Sequence, residues 1–378
     1  MPDVLIYADT VRSAELRHEV PLGIGDPLLY VEHDGKRHLA VSSLEAPRLQ
    51  GLGFELHPLE EFGLDELRRS GKSWLEIDDE LTLRAVSAIG VTKAIVPGTF
   101  PIMLADKLRA AGVELTPDHN FFGDRRRVKN ATELAGIRRA QVAAEAGMAA
   151  ACDLLRRAAT NGGKALKVDG EPLTSERIRI AISQAFVQNN ASCEEFIVSH
   201  GAQSAIGHHM GDGPIEAGEP IVIDLWPRDN ESACCADMTR TYVVGDIPDE
   251  VAEWHRLCKQ ALDRAFDDLR PGVTGKSVYE GTCDIFEAAG YPTQRTKREG
   301  ETLDSGFFHS LGHGVGLEVH ELPVLGLVGH EELLAGEVYA VEPGLYRPGF
   351  GGCRLEDLAV VTENGAEKLT SFPYDLTP

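Results

Sequence analysis

The chain has 378 residues, 43% of them hydrophobic, which is long enough for two domains with real cores. Its 37 Lys and Arg against 60 Asp and Glu leave a net charge of −23, and so anionic a surface argues against broad nucleic-acid binding and against docking on anionic lipid. No apolar run approaches the roughly 18 residues of a membrane span, Asp3 and Asp9 stand where a secretory signal would be apolar, and the seven cysteines are never spaced CxxC, so the chain reads as a cytoplasmic protein with reduced thiols.

Residues 1–124 alternate short apolar runs with helix-like stretches. The runs are Val4–Tyr7, Leu28–Val31, His38–Val41, Ala94–Val96 and Val113–Leu115; the stretches include Asp78–Ala88 and Pro101–Ala111. This is an α/β pattern that points to parallel pairing. Gly23-Ile24-Gly25 lacks the spacing of a phosphate-binding loop, so a nucleotide fold is unsupported. The pattern shifts at the basic run Asp124–Lys129, which reads as a connector or salt-bridge site.

From there to residue 378 the expectation is a second, α+β domain. A long helix over about Ala131–Ala158 is stopped by Thr160-Asn161-Gly162-Gly163. Further helices are expected over about Thr174–Asn189, Glu250–Leu269 and Lys276–Ala289, with apolar stripes that belong to a core. Strands are expected at Cys193–Val198, Pro220–Asp224, Ala236–Val244, Gly336–Val341 and Leu358–Thr362, in a largely antiparallel sheet.

Chemistry concentrates between His208 and Glu356. Asp224 ends an apolar strand and Asp237 heads another. If the two strands form a hairpin, the aspartates face each other, which an apolar sheet tolerates only with a shared proton or a cation. His309, His313 and His320 fall within twelve residues, among Gly312, Gly314 and Gly316, which let the backbone approach something closely. Glu342 and Glu356 each sit beside an apolar strand, with Arg354 nearby. Four carboxylates and one imidazole, from Asp224, Asp237, Glu342, Glu356 and His313, balance two divalent cations and suit Mn²⁺, Co²⁺, Fe²⁺ or Zn²⁺. Two such ions can activate a shared water, with the other histidines as proton carriers and oxyanion donors.

The segments IVIDLW, ADMTRTYVVG, HSLGHGVGLEVHE, VEPGLY and RLEDLAVVT, in this order, resemble the pita-bread metallopeptidases, in their Xaa-Pro aminopeptidase and prolidase branch. The resemblance implies an α+β pita-bread catalytic domain over 125–378, preceded by a smaller creatinase-like α/β domain over 1–124. It also implies two divalent metal ions, Mn²⁺ first, held by Asp224, Asp237, His313, Glu342 and Glu356, with Asp237 and Glu356 bridging. Glu342 would take a proton from the attacking water. His320 and His208 would bind substrate and stabilise the tetrahedral state, His208 being favoured over His209. His309 and Arg354 match supporting positions behind the ligands, His309 carried over as a catalytic residue and Arg354 as a substrate-binding one.

The implied activity is Xaa-Pro aminopeptidase action on short proline-containing peptides. Xaa-Pro dipeptidase action or cleavage from the carboxyl end is the alternative, and a non-catalytic peptide-binding module a more distant one. Metal-free creatinase-like hydrolysis is disfavoured because all five ligand positions are filled. A homodimer follows from the resemblance alone. Two departures concern loops by the substrate: LWPRDNESACCA, between the aspartates, is about two residues longer than the family's spacing, and the stretch from His208 to Asp224 is slightly short. Cys234-Cys235 has no ligand role in the pattern and reads as packing or as oxidisable thiols.

Overall fold

The structure, a computed structural model, describes residues 2–160 and 162–378. The chain divides into two units, Met1–Arg126 and Arg127–Pro378. Of the expected stop at 160–163, Asn161 lies outside the described residues.

Six strands build the sheet of the amino-terminal unit, in the spatial order Glu55–Pro58, Lys36–Val41, Leu28–His33, Val4–Ala8, Lys93–Val96, Glu114–Pro117. Alternate residues of the central strands enter different cores. Leu5, Leu29, Val31 and Ala40 pack with Ile77, Leu81 and Ala85 of the Trp74–Ile89 helix. Val4, Ile6, Leu28, Tyr30, Leu39 and Val41 fill the opposite face. With both faces covered, the strands read as continuous apolar runs.

The expected parallel pairing holds for three of the five strand pairs. The Leu28–His33 strand is antiparallel to both its neighbours. One cause is the two-residue Asp34-Gly35 turn, whose residues take φ of 48° and 75°, the geometry of a tight hairpin. The Trp74–Ile89 helix starts earlier than its apolar stripe because Ser73 and Glu76 cap it reciprocally. The basic run is a salt-bridge site: Arg125 binds Glu19 and Glu32, Arg127 binds Glu337, and Lys129 binds Glu321.

In the second unit the long helix runs over Ala131–Arg157, opened by an Asn130–Glu133 capping box. Helices Ser175–Gln188, Asp249–Asp268 and Gly275–Ala288 follow. Two antiparallel sheets position the site. One orders Ile197–His200, Ile221–Leu225 and Met238–Tyr242. The other orders Glu321–Leu325, Gly312–Gly314, Val338–Val341, Asp357–Thr362 and Gly365–Lys368. A hairpin, Gly344–Arg347 with Gly351–Arg354, is inserted in the chain between the Val338–Val341 and Asp357–Thr362 strands.

Trp254, Cys258, Ala261 and Leu262 of the Asp249–Asp268 helix pack on Tyr339, Leu345, Cys353 and Ala359 in one continuous core. Arg240, buried in this unit, ties the sheets together. Its guanidinium donates to Asp357 Oδ1 at 2.9 Å, to the Glu356 carbonyl at 2.8 Å and to the Thr239 carbonyl at 2.9 Å. Cys234 and Cys235 are buried, so the pair is packing, with burial holding both thiols protonated. No described helix is long and apolar enough to cross a membrane.

Candidate metal and active site

The acidic residues stand at strand ends. Asp224 is the penultimate residue of Ile221–Leu225, and Asp237 immediately precedes Met238–Tyr242. The register sets Asp224 opposite Thr239, so Asp237 is its diagonal neighbour on the same face and not its direct partner. The intervening segment makes its own short pairing, Arg228–Asp229 with Ala191–Ser192, which displaces the simple hairpin expected from sequence. Glu342 directly follows Val338–Val341, and its N–H donates to the Leu311 carbonyl at 2.7 Å. Glu356 directly precedes Asp357–Thr362. Its N–H donates to the Thr239 carbonyl at 3.1 Å, and its Oε2 accepts from the Thr239 hydroxyl at 2.6 Å.

His313 is the middle residue of the Gly312–Gly314 strand. What Gly312 approaches is the neighbouring strand: a Cβ there would lie 1.9 Å from the Ala340 carbonyl oxygen. The His313 Nδ1–H donates to the Gly314 carbonyl at 3.1 Å, which turns the Nε2 lone pair towards the carboxylates. Nε2 lies 3.7 Å from Asp237 Oδ2 and 3.7 Å from Glu342 Oε1. Donor atoms of Asp237, His313 and Glu356 lie within 4.8 Å of one another.

Burial and mutual repulsion dominate the electrostatics. Asp237 and Glu356 are pushed well above the carboxylate range, first by burial and then by neighbouring carboxylates. Burial also carries Glu342 up to about 8, with Arg354 opposing and Asp224 adding to the rise. His313 falls to about 4, through burial and the adjacent His320, and is therefore the neutral imidazole a metal requires. Asp224 Oδ1 and Asp237 Oδ1 are buried and accept no hydrogen bond. Buried carboxylate oxygens without donors are costly unless a cation satisfies them. The donor set therefore fits divalent metal.

A cavity of about 310 Å³ opens on this cluster. His208 and His320 are exposed on its wall, alongside Trp226 and Val319 from the quoted segments and Glu195 and Met210, which no segment covers. His209 instead accepts the Gly211 N–H on Nδ1 and is not among the wall residues. Arg354 lines the cavity, and its guanidinium donates to Asp224 Oδ2 at 2.5 Å, the Tyr346 hydroxyl at 3.0 Å and Thr239 Oγ1 at 3.2 Å. These bonds tie it to the carboxylates, in the supporting position that the resemblance also gives it.

His309 also stands apart from the cavity wall. Its Nδ1–H donates to the Ser310 carbonyl, and its Nε2 accepts from the Tyr346 hydroxyl at 3.0 Å. A relay thus runs from His309 through Tyr346 and Arg354 to Asp224. Burial and the Arg354 charge lower His309 to about 3, so it stays neutral. Tyr346 and Thr239 are the links in this relay; both fall within the segments VEPGLY and ADMTRTYVVG, but nothing in their spacing marks the contacts they make with Arg354.

The model of metallopeptidase family M24 matches residues 135–363. A Xaa-Pro dipeptidase of Pyrococcus furiosus is 37% identical over 181 residues, a match spanning about half the length of each chain (48% of both). "Probable dipeptidase PepE" of Mycobacterium tuberculosis is 30% identical over 346 residues, covering 89% of this chain and 84% of that one. A solved Xaa-Pro dipeptidase from Bacillus anthracis superposes with a TM-score of 0.80 at 22% identity, covering all of this chain and 94% of its own. The fold is thus the pita-bread arrangement, and the chain is an enzyme belonging to metallopeptidase family M24.

Proposed function

We propose that the protein is an Xaa-Pro dipeptidase, a narrower activity than the aminopeptidase action first expected from the sequence. The observation that carries a hydrolytic role is the set of buried carboxylates with orphaned oxygens at the floor of a cavity. The dipeptidase choice is supported by the relatives' names and by the cavity's modest volume, near the lower end for ligand pockets, about 300 Å³.

Asp224, Asp237, His313, Glu342 and Glu356 would hold two divalent cations; oxygen-rich ligation favours Mn²⁺, with Co²⁺, Zn²⁺ or Fe²⁺ as alternatives. When bound, the ions polarise the scissile carbonyl and acidify water. Glu342 accepts the proton of the attacking water on a carboxylate oxygen facing the cavity. His208 and His320 donate hydrogen bonds to the carbonyl oxygen as it becomes an oxyanion. Trp226, Met210 and Val319 present apolar surface to a proline ring, whose amide has no N–H to bind. His309 and Tyr346 hold Arg354 in place, and Arg354 fixes Asp224.

Short proline-containing peptides are the substrate class, and the free thiols accord with a cytoplasmic setting. Assembly as a homodimer rests on the resemblance alone. The test is mass spectrometry of products from X-Pro, X-Pro-Y and amino-blocked X-Pro, with Mn²⁺ added. X-Pro should be cleaved with a kcat/KM at least about tenfold above X-Pro-Y, a difference of about 1.4 kcal/mol in transition-state binding. Equal or better cleavage of X-Pro-Y restores the aminopeptidase reading, and cleavage of the blocked peptide overturns both.

A further inference from the structure

The amino-terminal unit holds a second group of metal-type side chains. His38 lies on the Lys36–Val41 strand, and Glu55 and His57 lie on the parallel Glu55–Pro58 strand at the sheet edge. The register sets His38 beside Glu55 and Ala40 beside His57. Donor atoms of all three lie within 4.8 Å of one another. His38 Nδ1 is 3.1 Å from His57 Nε2 and 3.4 Å from Glu55 Oε2. The ring centroids are 5.3 Å apart with planes 27° apart.

These distances have a chemical meaning. Zinc bonds of about 2.0–2.1 Å place the donors of a tetrahedral ion about 3.3 Å apart. Both measured separations sit close to that edge. His38 is buried, and burial lowers its affinity for a proton, leaving it a neutral ligand. His57 points Nε2 inward while its Nδ1 lies 3.2 Å from Glu61 Oε2, the carboxylate–histidine arrangement that orients a ligating imidazole. Glu55 uses Oε1 for Lys36 at 2.7 Å, which leaves Oε2 for the cluster. Glu55 and Glu61 against Lys36 leave net negative charge around the two rings.

We propose that His38, Glu55 and His57 form a Zn²⁺ site in the amino-terminal unit, with water completing the coordination and Glu61 orienting His57. The ion would fasten the edge strand to its neighbour. The site is distinct from the carboxylate-rich centre and differs from it in chemistry: two imidazoles and one carboxylate prefer zinc, whereas an oxygen-rich set is permissive.

The full chain is dialysed against Zn²⁺ at neutral pH and its metal counted by mass spectrometry, for wild type, His57→Gln and Glu61→Gln. Zinc in the carboxylate centre cancels in the comparison. Wild type should retain one zinc per chain more than His57→Gln. Glu61→Gln should retain the count with affinity weakened about tenfold or more. If His57→Gln binds as many zinc ions as wild type, the histidines are only a hydrogen-bonded pair and the proposal fails. His57→Gln should keep its peptide hydrolysis and its unfolding midpoint in chelator. Should it not fold, Glu55→Gln, at a half-exposed edge position, replaces it with the same expected loss of one zinc.

Discussion

Replacing Arg354 with methionine tests how the carboxylate cluster is balanced. Among the described residues, Arg354 is the cation that touches the cluster. It binds Asp224 directly, and its Nε is 4.0 Å from Glu342 Oε2. Methionine keeps the stem and removes the charge and three hydrogen bonds. Breaking a buried ion pair by removing one partner costs about 3–5 kcal/mol, because the other charge is left uncompensated. The loss should appear in full in chelator-treated protein and should shrink with saturating Mn²⁺, since bound cations take over the neutralisation. Urea unfolding followed by tryptophan fluorescence reads this out, as Trp226 and Trp254 both lie in the carboxy-terminal unit. Arg354→Lys should recover only part of the loss, because an ammonium cannot span Asp224, Tyr346 and Thr239 together. A loss below about 1 kcal/mol in the chelated protein would refute the view that this guanidinium balances the site.

Asp237→Asn should lower kcat/KM for X-Pro by roughly a thousandfold, the order of several kcal/mol supplied by metal catalysis, in protein whose unfolding midpoint is kept. Gly312→Ala should destabilise the enzyme by about 3 kcal/mol or more, since the added carbon meets the Ala340 carbonyl at 1.9 Å and backbone has little room to yield; an unchanged unfolding midpoint contradicts the close approach. His200 is buried between Glu219 Oε2 at 2.7 Å and the Asp212 carbonyl at 3.0 Å. Burial alone would lower its pKa, but these partners raise it above 6.5, while the same contact lowers Glu219. The His200 contribution is therefore complete below pH 6.5 and fades as pH rises through the elevated value. The stability difference between wild type and His200→Gln should shrink across that rise, and a gap that widens above pH 6.5 reverses the assigned charge.

Whereas His313 is marked by its histidine- and glycine-rich segment, the carboxylate donors are legible in the sequence because they stand at strand ends that the apolar pattern marks, as with Asp224 after IVI, Glu342 after YAV and Glu356 before DLAVV. The helices were legible for the same reason, their boundaries shifting by a residue or several where caps such as Ser73–Glu76 decide the start. Pairing direction was not, since apolar runs covered on both faces look alike whichever way they run; Asp34-Gly35 was the local signal for the reversal. The Glu55–Pro58 edge strand has too little apolar sequence to show. Tyr346 escaped notice because its role depends on a contact with Arg354 across a hairpin, and spacing carries no information about that partner. The resemblance places His309 and Arg354 in supporting positions, but sequence spacing carries no information about the Tyr346 hydroxyl that joins them.

Part of the cavity wall comes from places other than the residues of the carboxylate cluster. Glu195, His208 and Met210, Trp226, and Val319 with His320 sit outside the strands, in connections that enter the cavity from different directions. Glu342 and Glu356 are pinned at strand ends by backbone bonds, and Glu356 by Arg240 as well. Drift in the connections can therefore retune which peptide is accepted while the catalytic floor stays untouched, which is how one scaffold can host enzymes of differing appetite.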